Sequence, residues 1–277
     1  MIITKISDGF GNQLFMYACG YAISKRLNKK LFLDITYLDN NNIRSFELDK
    51  FNIFYNKLIT TRAVKFYVFR VIIRKLIHFF MRSCFSLFKE KYPYVYDNNI
   101  LKITNNTYIE GYWQCEKYFK DYRVDILNML TPTFKLSVGC QNYIKRVQKN
   151  NSVAIHLRRG DYVNLGLCLD ISYYCKAIGK VKNYISNPVF YVFSDDILYA
   201  KKIFNEENGF IFVEYKSENS TIEDLLIMKE CKNIIIANST YSWWAAWLNN
   251  NPNKIVIYCK DKRNINDFYP NEWISID

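Results

Sequence analysis

Two adjacent arginines, Arg158 and Arg159, lie within the segment His156-Leu-Arg-Arg-Gly-Asp-Tyr162. Guanidinium groups make paired, charge-assisted hydrogen bonds to phosphate oxygens, and a glycine such as Gly160 lets a ligand approach the backbone. The segment therefore predicts a binding site for a diphosphate. The alternative is a surface turn in which both arginines pair with protein carboxylates, and the segment alone leaves that alternative open.

Two other polar segments offer related chemistry, Ser194-Asp195-Asp196 and Asn238-Ser239-Thr240. Paired acids can hold a metal ion, but the chain contains no Asp-x-Asp and its two histidines lack metal-ligand spacing. We therefore expect the aspartates to accept hydrogen bonds from a guanine edge or a ribose, with helix capping as the alternative. Ser239 and Thr240 precede a predicted helix, where hydroxyl and free N–H groups bind phosphate or simply cap the helix.

A third segment, Asp8-Gly9-Phe10-Gly11-Asn12-Gln13, lies between a predicted strand and a predicted helix. Gly9 and Gly11 allow a ligand to approach backbone amides, and Asn12 and Gln13 add side-chain amides. It is not a complete G-x-G-x-x-G, because Leu14 occupies the last position. We predict a contact for the sugar end of a nucleotide sugar here, with an ordinary strand-to-helix turn as the alternative.

Apolar runs of strand length alternate with helix-length segments in the C-terminal half, which predicts βαβ units and a parallel sheet. The predicted strands are 153–157, 189–193, 210–213, 233–237 and 254–258. A helix is predicted over 221–231, with Thr221 as its cap and Asp224 three residues on. Ligands bind beyond the carboxyl ends of parallel strands, so we expect the three polar segments of this half to line one cleft.

The N-terminal half begins in the same way, with predicted strands at 2–6 and 31–35 and an amphipathic helix at 12–27 between them. The fold class predicted is therefore α/β with two Rossmann-type lobes and a cleft between them. We place the boundary in the polar stretch near residue 150, which gives lobes of 1–149 and 150–277.

The net charge of +12 over 277 residues implies an anionic partner, which is a nucleic acid, an acidic membrane or a phosphorylated small molecule. No nucleic-acid-binding motif is present, so a basic nucleic-acid-binding protein is the weaker alternative. The cysteines form no C-x-x-C pair and predict reduced thiols. The N terminus reaches polar Asp8 without a signal peptide, so we expect a cytoplasmic protein.

The stretch 63–88 is rich in Val, Ile, Leu and Phe but is interrupted by the basic side chains Arg70, Arg74, Lys75, His78 and Arg82. At 100° per residue these basic side chains share one sector, which predicts a basic amphipathic helix and argues against a transmembrane one. Packing on the lobe with a solvated basic face is the favoured interpretation. Contact with the inner face of a membrane is the alternative.

Four segments resemble the α-1,2-fucosyltransferases of glycosyltransferase family 11, in particular the bacterial ones. Residues 156–162 match the H-x-R-R-G-D-Y signature, and 9–15 resemble the G-x-G-N-Q-x-F loop. Residues 111–119 and 238–247 resemble two further blocks, in family order. This chain departs from the family pattern at Asp8, Met16 and Ala245, where glycine, glutamine and glycine are usual.

This resemblance implies a GT-B-like fold and metal-independent transfer of L-fucose from GDP-fucose, with inversion and no cofactor. The C-terminal lobe would bind GDP-fucose, with Arg158 and Arg159 on the phosphates, and the N-terminal lobe would face the acceptor. His156, Asp195 and Asp224 become candidates for nucleotide or loop-positioning contacts. The acceptor implied is the 2-hydroxyl of a galactoside in a surface glycan, free or lipid-linked. Another GDP- or UDP-sugar donor remains the alternative.

The general base is the least determined part of the site. Asp161 is the nearest acid to the arginines and is the candidate base, although it could instead hold those arginines in place. Glu116 and Asp8 are further candidates. Tyr112 and Trp113 are expected either to stack on a sugar or to lie in the core.

Overall fold

The computed structural model describes residues 1–40, 44–60, 85–204, 209–260 and 267–277. The chain divides into two compact units. The first is Met1–Phe134 together with a short C-terminal segment that contains Phe268. The second begins at Lys135 and holds the rest. The boundary therefore lies ahead of the predicted one at residue 150.

The described elements of the first unit are β1 (Ile2–Lys5), α1 (Phe10–Arg26), β2 (Leu31–Asp34), β3 (Lys57–Ile59), β4 (Ser86–Lys89), β5 (Thr107–Glu110) and α2 (Arg123–Met129), with 3-10 helices at Leu38–Asn40, Leu48–Lys50, Asn98–Lys102, Glu116–Tyr118 and Lys120–Tyr122. The strands form a five-stranded sheet in the order β3-β2-β1-β5-β4, and all neighbours are parallel. Central β1 contributes the buried side chains Ile2 and Ile3 to the core.

Helix α1 differs from the amphipathic helix predicted over 12–27. It begins earlier, at Phe10, and most of its side chains are buried, including polar Gln13 and Ser24. Gly20 allows this burial, because a Cβ there would lie 2.8 Å from the Cγ2 of Thr4 on β1. The helix is therefore a central core element, and solvent reaches it mainly at its C-terminal end, where Lys25 and Arg26 are exposed.

The predicted basic helix at 63–88 falls largely on residues 61–84, which lie outside the described residues. Its last part is wrong, because Ser86–Lys89 forms strand β4 and pairs in parallel with β5. Within the described residues, no helix is long and apolar enough to cross a membrane.

The described elements of the second unit are α3 (Val138–Gln148), β6 (Ser152–Leu157), α4 (Gly160–Asn164), α5 (Ile171–Tyr184), β7 (Val189–Ser194), α6 (Ile197–Ile203), β8 (Phe210–Phe212), α7 (Ser220–Glu230), β9 (Asn233–Ile235), α8 (Thr240–Leu248), β10 (Val256–Cys259) and β11 (Ile274–Ile276). Its six-stranded sheet has the order β11-β10-β9-β6-β7-β8 and is parallel throughout. All five strands predicted in this half are present, with ends shifted by at most two residues.

Helix α3 explains why the domain boundary precedes the predicted one. Its cap residue Ser137 donates hydrogen bonds from its backbone N and its Oγ to the two carboxylate oxygens of Glu223 on α7, at 2.6 and 2.7 Å. Glu223 is buried, so these charge-assisted bonds fix α3 to the second unit. The predicted start of α7 was one residue late, since it begins at Ser220 after Asn219 rather than being capped by Thr221.

Tryptophan is divided unequally between the units. In the second unit, Trp243 of α8 packs against Trp244, Trp247 and Trp273, with ring centroids 5.3, 6.1 and 5.6 Å away. The first unit contains Trp113, which is fully buried. Trp113 is a core residue, so the suggested sugar stacking by its ring is wrong.

Candidate functional site

Arg158 follows the buried central strand β6 and is held by two carboxylates. Its Nη2 lies 2.6 Å from Oδ1 of Asp161, and its Nη1 lies 2.6 Å from Oδ2 of Asp195. Asp161 is one turn away on α4, and Asp195 follows the neighbouring strand β7. The parallel pairing of β6 with β7 therefore brings two of the predicted segments together at one sheet edge.

Arg159 is held differently, by one carboxylate and one aromatic ring. Its Nε lies 3.1 Å from Oδ2 of Asp196, and its guanidinium carbon lies 3.4 Å from the ring centroid of Tyr199. Its backbone N donates to Oδ1 of Asp195 at 2.7 Å. Within the described part of the chain, its two terminal nitrogens have no hydrogen-bond partner. Arg159 can therefore offer a fork of donors to an anion.

Both arginines therefore pair with protein carboxylates, as the alternative interpretation of the segment predicted. The side chains of Arg158 and Arg159 are nevertheless 26% and 20% exposed. Ion pairs at such exposure contribute about 0–1 kcal/mol each, so a phosphate dianion can compete with them. The three aspartates orient the guanidinium groups while leaving an accessible cationic edge.

Gly160 is required by this arrangement. A Cβ at this position would lie 2.6 Å from Oδ2 and 3.3 Å from Cγ of Asp195. The carboxylate that bridges the two arginines occupies the space that any larger side chain would need.

Two predicted ligand contacts are used as helix caps. Asp196 caps α6, where its Oδ1 accepts from the backbone N of Tyr199 at 3.0 Å, and this bond, followed by the pairing with Arg159, lowers its pKa. Ser239 caps α8 by accepting from the backbone N of Tyr241 at 3.2 Å. Both capping alternatives are therefore present in the fold.

The loop before α8 lies next to the arginine segment. Tyr162 of α4 donates from its hydroxyl to the carbonyl O of Asn238 at 3.3 Å. The side-chain amide of Asn238 donates to the carbonyl O of Leu167 at 2.9 Å. Thr240, the first residue of α8, is half-buried. The segment Asn238-Ser239-Thr240 therefore reaches the same sheet edge.

His156 lies beneath the arginines as a buried, neutral side chain. Burial and then the charge of Arg158 lower its pKa to about 3. Its ring centroid is 5.3 Å from that of Tyr241. Its Nδ1 atom is buried and has no hydrogen-bond partner among the described residues.

Asp224 on α7 accepts a hydrogen bond from the hydroxyl of Tyr215 at 2.8 Å. Burial raises its pKa to about 6, and the charge of neighbouring Glu223 acts in the same direction. Tyr241 connects this region to His156, because its hydroxyl donates to the carbonyl O of Thr221 at the start of α7 at 2.5 Å. Asp224 and His156 thus belong to one polar region of the second unit.

In the first unit, the loop after β1 is held by Gln13. Its side-chain amide donates to the carbonyl O atoms of Asp8 and Ser45 at 2.9 and 2.8 Å and accepts from the backbone N of Glu47 at 3.0 Å. Gln13 is 1% exposed, so it positions the loop and does not face a ligand. The backbone around Gly9 is open, since its nearest neighbour to a Cβ would be 4.0 Å away, on Arg44.

The rest of this loop divides between core and surface. Gly11 is buried in the first turn of α1, and Asn12 is half-buried and accepts from the side-chain amide of Gln114 at 2.8 Å. Asp8 adopts a left-handed backbone with φ of 64°. That conformation favours glycine, the residue usual at this position in the resembled family.

Three functional features were missed at the sequence level. They are the stacking of Tyr199 on Arg159, the bridging role of Asp195 and the hydroxyl cluster around Asp8. Each depends on residues far apart in the chain or on a rotamer, which one-dimensional spacing does not reveal. Among the described residues, no group of three or more His, Cys, Asp or Glu side chains is placed to hold a metal ion.

The fold is similar to that of solved fucosyltransferase structures. Both units are parallel Rossmann-type lobes, and the α/β, GT-B-like class is confirmed. A crystal structure of NodZ α-1,6-fucosyltransferase soaked with GDP-fucose, an enzyme known from Bradyrhizobium, has a TM-score of 0.53 and 16% identity. The match covers 89% of this chain and 91% of that chain.

A model of the family described as Glycosyl transferase family 11 matches residues 1–277, and the chain belongs to that family. The O-antigen biosynthesis glycosyltransferase WbnK of Escherichia coli is 36% identical over 91% of both chains. The α-1,2-colitosyltransferase of Escherichia coli is 32% identical over 100% of this chain and 99% of that one. These findings confirm the resemblance.

Proposed function

We propose that this chain transfers L-fucose from GDP-fucose to the 2-hydroxyl of a galactoside in an acceptor glycan, with inversion and without a metal ion. The observation that carries this proposal is the arginine pair at the carboxyl end of β6, in which half-buried Arg159 keeps two terminal nitrogens unpaired within the described residues. Membership in glycosyltransferase family 11 and the α-1,2 linkage named for one relative support it.

The arginines stabilise the charge that develops on the departing diphosphate. A well-placed donor at such a site contributes about 2.7–4 kcal/mol to transition-state stabilisation. Arg159 supplies two unpaired terminal nitrogens, and its stacking on Tyr199 fixes the plane of the fork. Arg158 adds positive charge and is held in place by Asp161 and Asp195.

The nucleoside end is bound by the polar region around Asp224. The Oδ2 atom of Asp224 makes no hydrogen bond within the described residues, and above pH 6 the carboxylate is ionised and can accept from a guanine edge. The unpartnered Nδ1 of neutral His156 offers a second polar contact. We assign these two contacts to the guanine nucleoside of the donor.

A colitose donor is the second candidate, because one relative is named a colitosyltransferase. Colitose is fucose without its 3-hydroxyl. A site that hydrogen-bonds a substrate hydroxyl rejects the deoxy analogue by about 10⁴–10⁵, whereas an apolar site discriminates only weakly. The donor preference therefore reports directly on whether a protein group bonds the 3-hydroxyl.

The test is a donor panel on the purified protein with a β-galactoside acceptor. GDP-fucose, GDP-colitose, GDP-mannose and UDP-galactose are compared by thermal shift and by turnover, and the product linkage is assigned by NMR. We expect an α-1,2-fucosyl product that also forms in excess EDTA. A strict Mg²⁺ requirement, or turnover only with UDP-galactose, would contradict the proposal.

A peripheral membrane contact and a lipid-linked acceptor belong to the same proposal. WbnK is named for O-antigen biosynthesis, which supports an oligosaccharide acceptor. The comparison of a soluble galactoside with the same glycan on a lipid in vesicles tests this part. We expect a lower acceptor KM for the lipid-linked form, and equal KM values would leave the enzyme with a soluble acceptor.

A further inference from the structure

The transfer requires a group that removes the proton from the acceptor hydroxyl, and the structure narrows the choice of carboxylate. Asp161, the candidate in the signature, is occupied by the guanidinium of Arg158 at 2.6 Å. Asp195 and Asp196 are likewise paired with arginines. Glu223 is bound by Ser137, and Asp224 is assigned to the guanine edge by the proposed function.

The carboxylates at the strand ends of the first unit are also committed, with one exception. Asp34 accepts from the backbone N of Thr36 and the hydroxyl of Tyr108, Glu90 accepts from the backbone N atoms of Tyr112 and Trp113, and Glu110 pairs with Lys5. Asp8 is the exception. Its carboxylate is bound only by hydroxyl groups among the described residues, and it forms no ion pair there.

Asp8 is positioned by three hydroxyls from separate parts of the chain. Oδ2 accepts from the hydroxyls of Ser7 and Tyr112 at 2.8 and 2.9 Å, and Oδ1 faces the hydroxyl of Tyr37 at 3.4 Å. Burial and the bond to Asp8 raise the pKa of Tyr112 to about 12, so Tyr112 donates a proton to this bond at neutral pH. The nearby guanidinium of Arg44 lies against Gly9.

The backbone at Asp8 is a second, independent observation. Its φ of 64° is a left-handed conformation that costs a non-glycine residue up to about 1–3 kcal/mol, less for Asp, and such positions concentrate at functional sites. Asp8 lies in the loop that follows central β1, at the carboxyl edge where parallel sheets bind ligands. Exposed rings of Tyr37 and Tyr112 flank it, as suits a sugar.

We infer that Asp8 is the general base of the transfer and binds the hydroxyl of the acceptor sugar. The acceptor O–H proton moves to the Asp8 carboxylate, and the freed oxygen lone pair forms the bond to the anomeric carbon of the donor sugar. The bond from that carbon to the diphosphate oxygen breaks, and its electrons leave with GDP. This inference rests on the proposed function.

The test is Asp8→Asn, which keeps a residue tolerant of left-handed backbone and retains an acceptor oxygen for Tyr112. Loss of a general base lowers kcat by about 10²–10⁴-fold. We expect that loss with an unchanged GDP thermal shift. Asp8→Gly, which suits the same φ, is expected to give the same loss, so misfolding of one variant does not decide the matter.

Two variants measured in parallel separate the outcomes. Asp121→Asn removes an exposed carboxylate elsewhere in the first unit and is expected to leave kcat unchanged. Arg159→Ala tests the proposed function in the same assay. Full kcat in Asp8→Asn with loss in Arg159→Ala would overturn the role of Asp8 alone. Full activity in Arg159→Ala would overturn the proposed function, and wild-type inactivity with every donor would overturn both.

Discussion

The two strand-end loops of this protein hold their charged groups in opposite ways. The loop after β6 surrounds two arginines with three aspartates, so ion pairs orient both guanidinium groups, and the Tyr199 ring stacks on Arg159. The loop after β1 surrounds one aspartate with neutral hydroxyls. The first arrangement orients cations for a multivalent anion that can outcompete the aspartates. The second keeps a carboxylate fixed but uncommitted to any cation, as a proton acceptor requires.

Arg159→Ala should break the cationic side of this comparison most strongly. It removes the unpaired fork and its stacking on Tyr199, so we expect kcat/KM to fall by about 10²–10³-fold, the cost of one lost transition-state donor. Steady-state kinetics with GDP-fucose measure kcat/KM, and a thermal melt checks that the variant is folded. The matched control is Arg146→Ala, an exposed arginine on α3 whose loss should leave turnover unchanged.

Gly160→Ala should disturb the same loop through its carboxylates. The added Cβ displaces the Asp195 carboxylate from Arg158 and from the backbone N of Arg159. One charge-assisted bond is worth about 1.5–3 kcal/mol, so we expect a loss of about 10–100-fold in kcat/KM. Gly179→Ala is the control, because a Cβ on α5 meets nothing within 4 Å and should stabilise the helix by about 0.5–1 kcal/mol. Equal activity of both variants would contradict the bridging role of Asp195.

Asp161→Asn should separate a positioning role from a base. The amide oxygen can still accept from Arg158 but without charge, so we expect GDP binding to weaken severalfold with little further loss in kcat. Isothermal titration measures the affinity for GDP, and single-turnover kinetics measure the rate of the chemical step. Unchanged GDP affinity together with abolished chemistry would return the base to Asp161 and remove it from Asp8.

Asp224→Asn should leave the loop after β6 intact and change the stability of the fold. The pKa of Asp224 is raised from 3.8 to about 6 in the fold, so the unfolded chain loses this proton first and the free energy of unfolding falls between those pH values. A pKa difference of one corresponds to about 1.36 kcal/mol. Because Asp224 is partly exposed, the free energy of unfolding of the variant should be higher by about 1–3 kcal/mol at pH 7.5. Denaturant melts at pH 7.5 and 3.5 check this, and the gain should vanish at the lower pH.

The parallel sheets and the arginine site could be predicted from the sequence because their signals are local. Apolar runs such as 153–157 become buried strands, and the polar residues that follow must lie at one edge. The extent of α1 burial and the attachment of α3 could not be predicted. Both depend on long-range contacts, such as Gly20 against Thr4 and Ser137 against Glu223, which leave no periodic trace.

The residues of the site could be predicted from the sequence, but the role of each residue could not. The sequence identifies Arg158, Arg159 and the aspartates after β7 as one cluster. It does not show which carboxylate bridges, which one caps a helix and which one is left for chemistry. Those assignments depend on side-chain rotamers and on distant partners, as the hydroxyl of Tyr112 at Asp8 illustrates.

Because tryptophan is distributed unequally, the unfolding of each unit can be followed by its own tryptophan signal. Four of the five indoles lie in one packed group of the second unit, and Trp113 is the fifth. Trp113→Phe therefore silences the emission of the first unit while leaving the coupled indole bands of the second in the near-ultraviolet circular dichroism. Comparison of the two emission traces during a melt would reveal whether the lobes lose their structure together or one after the other.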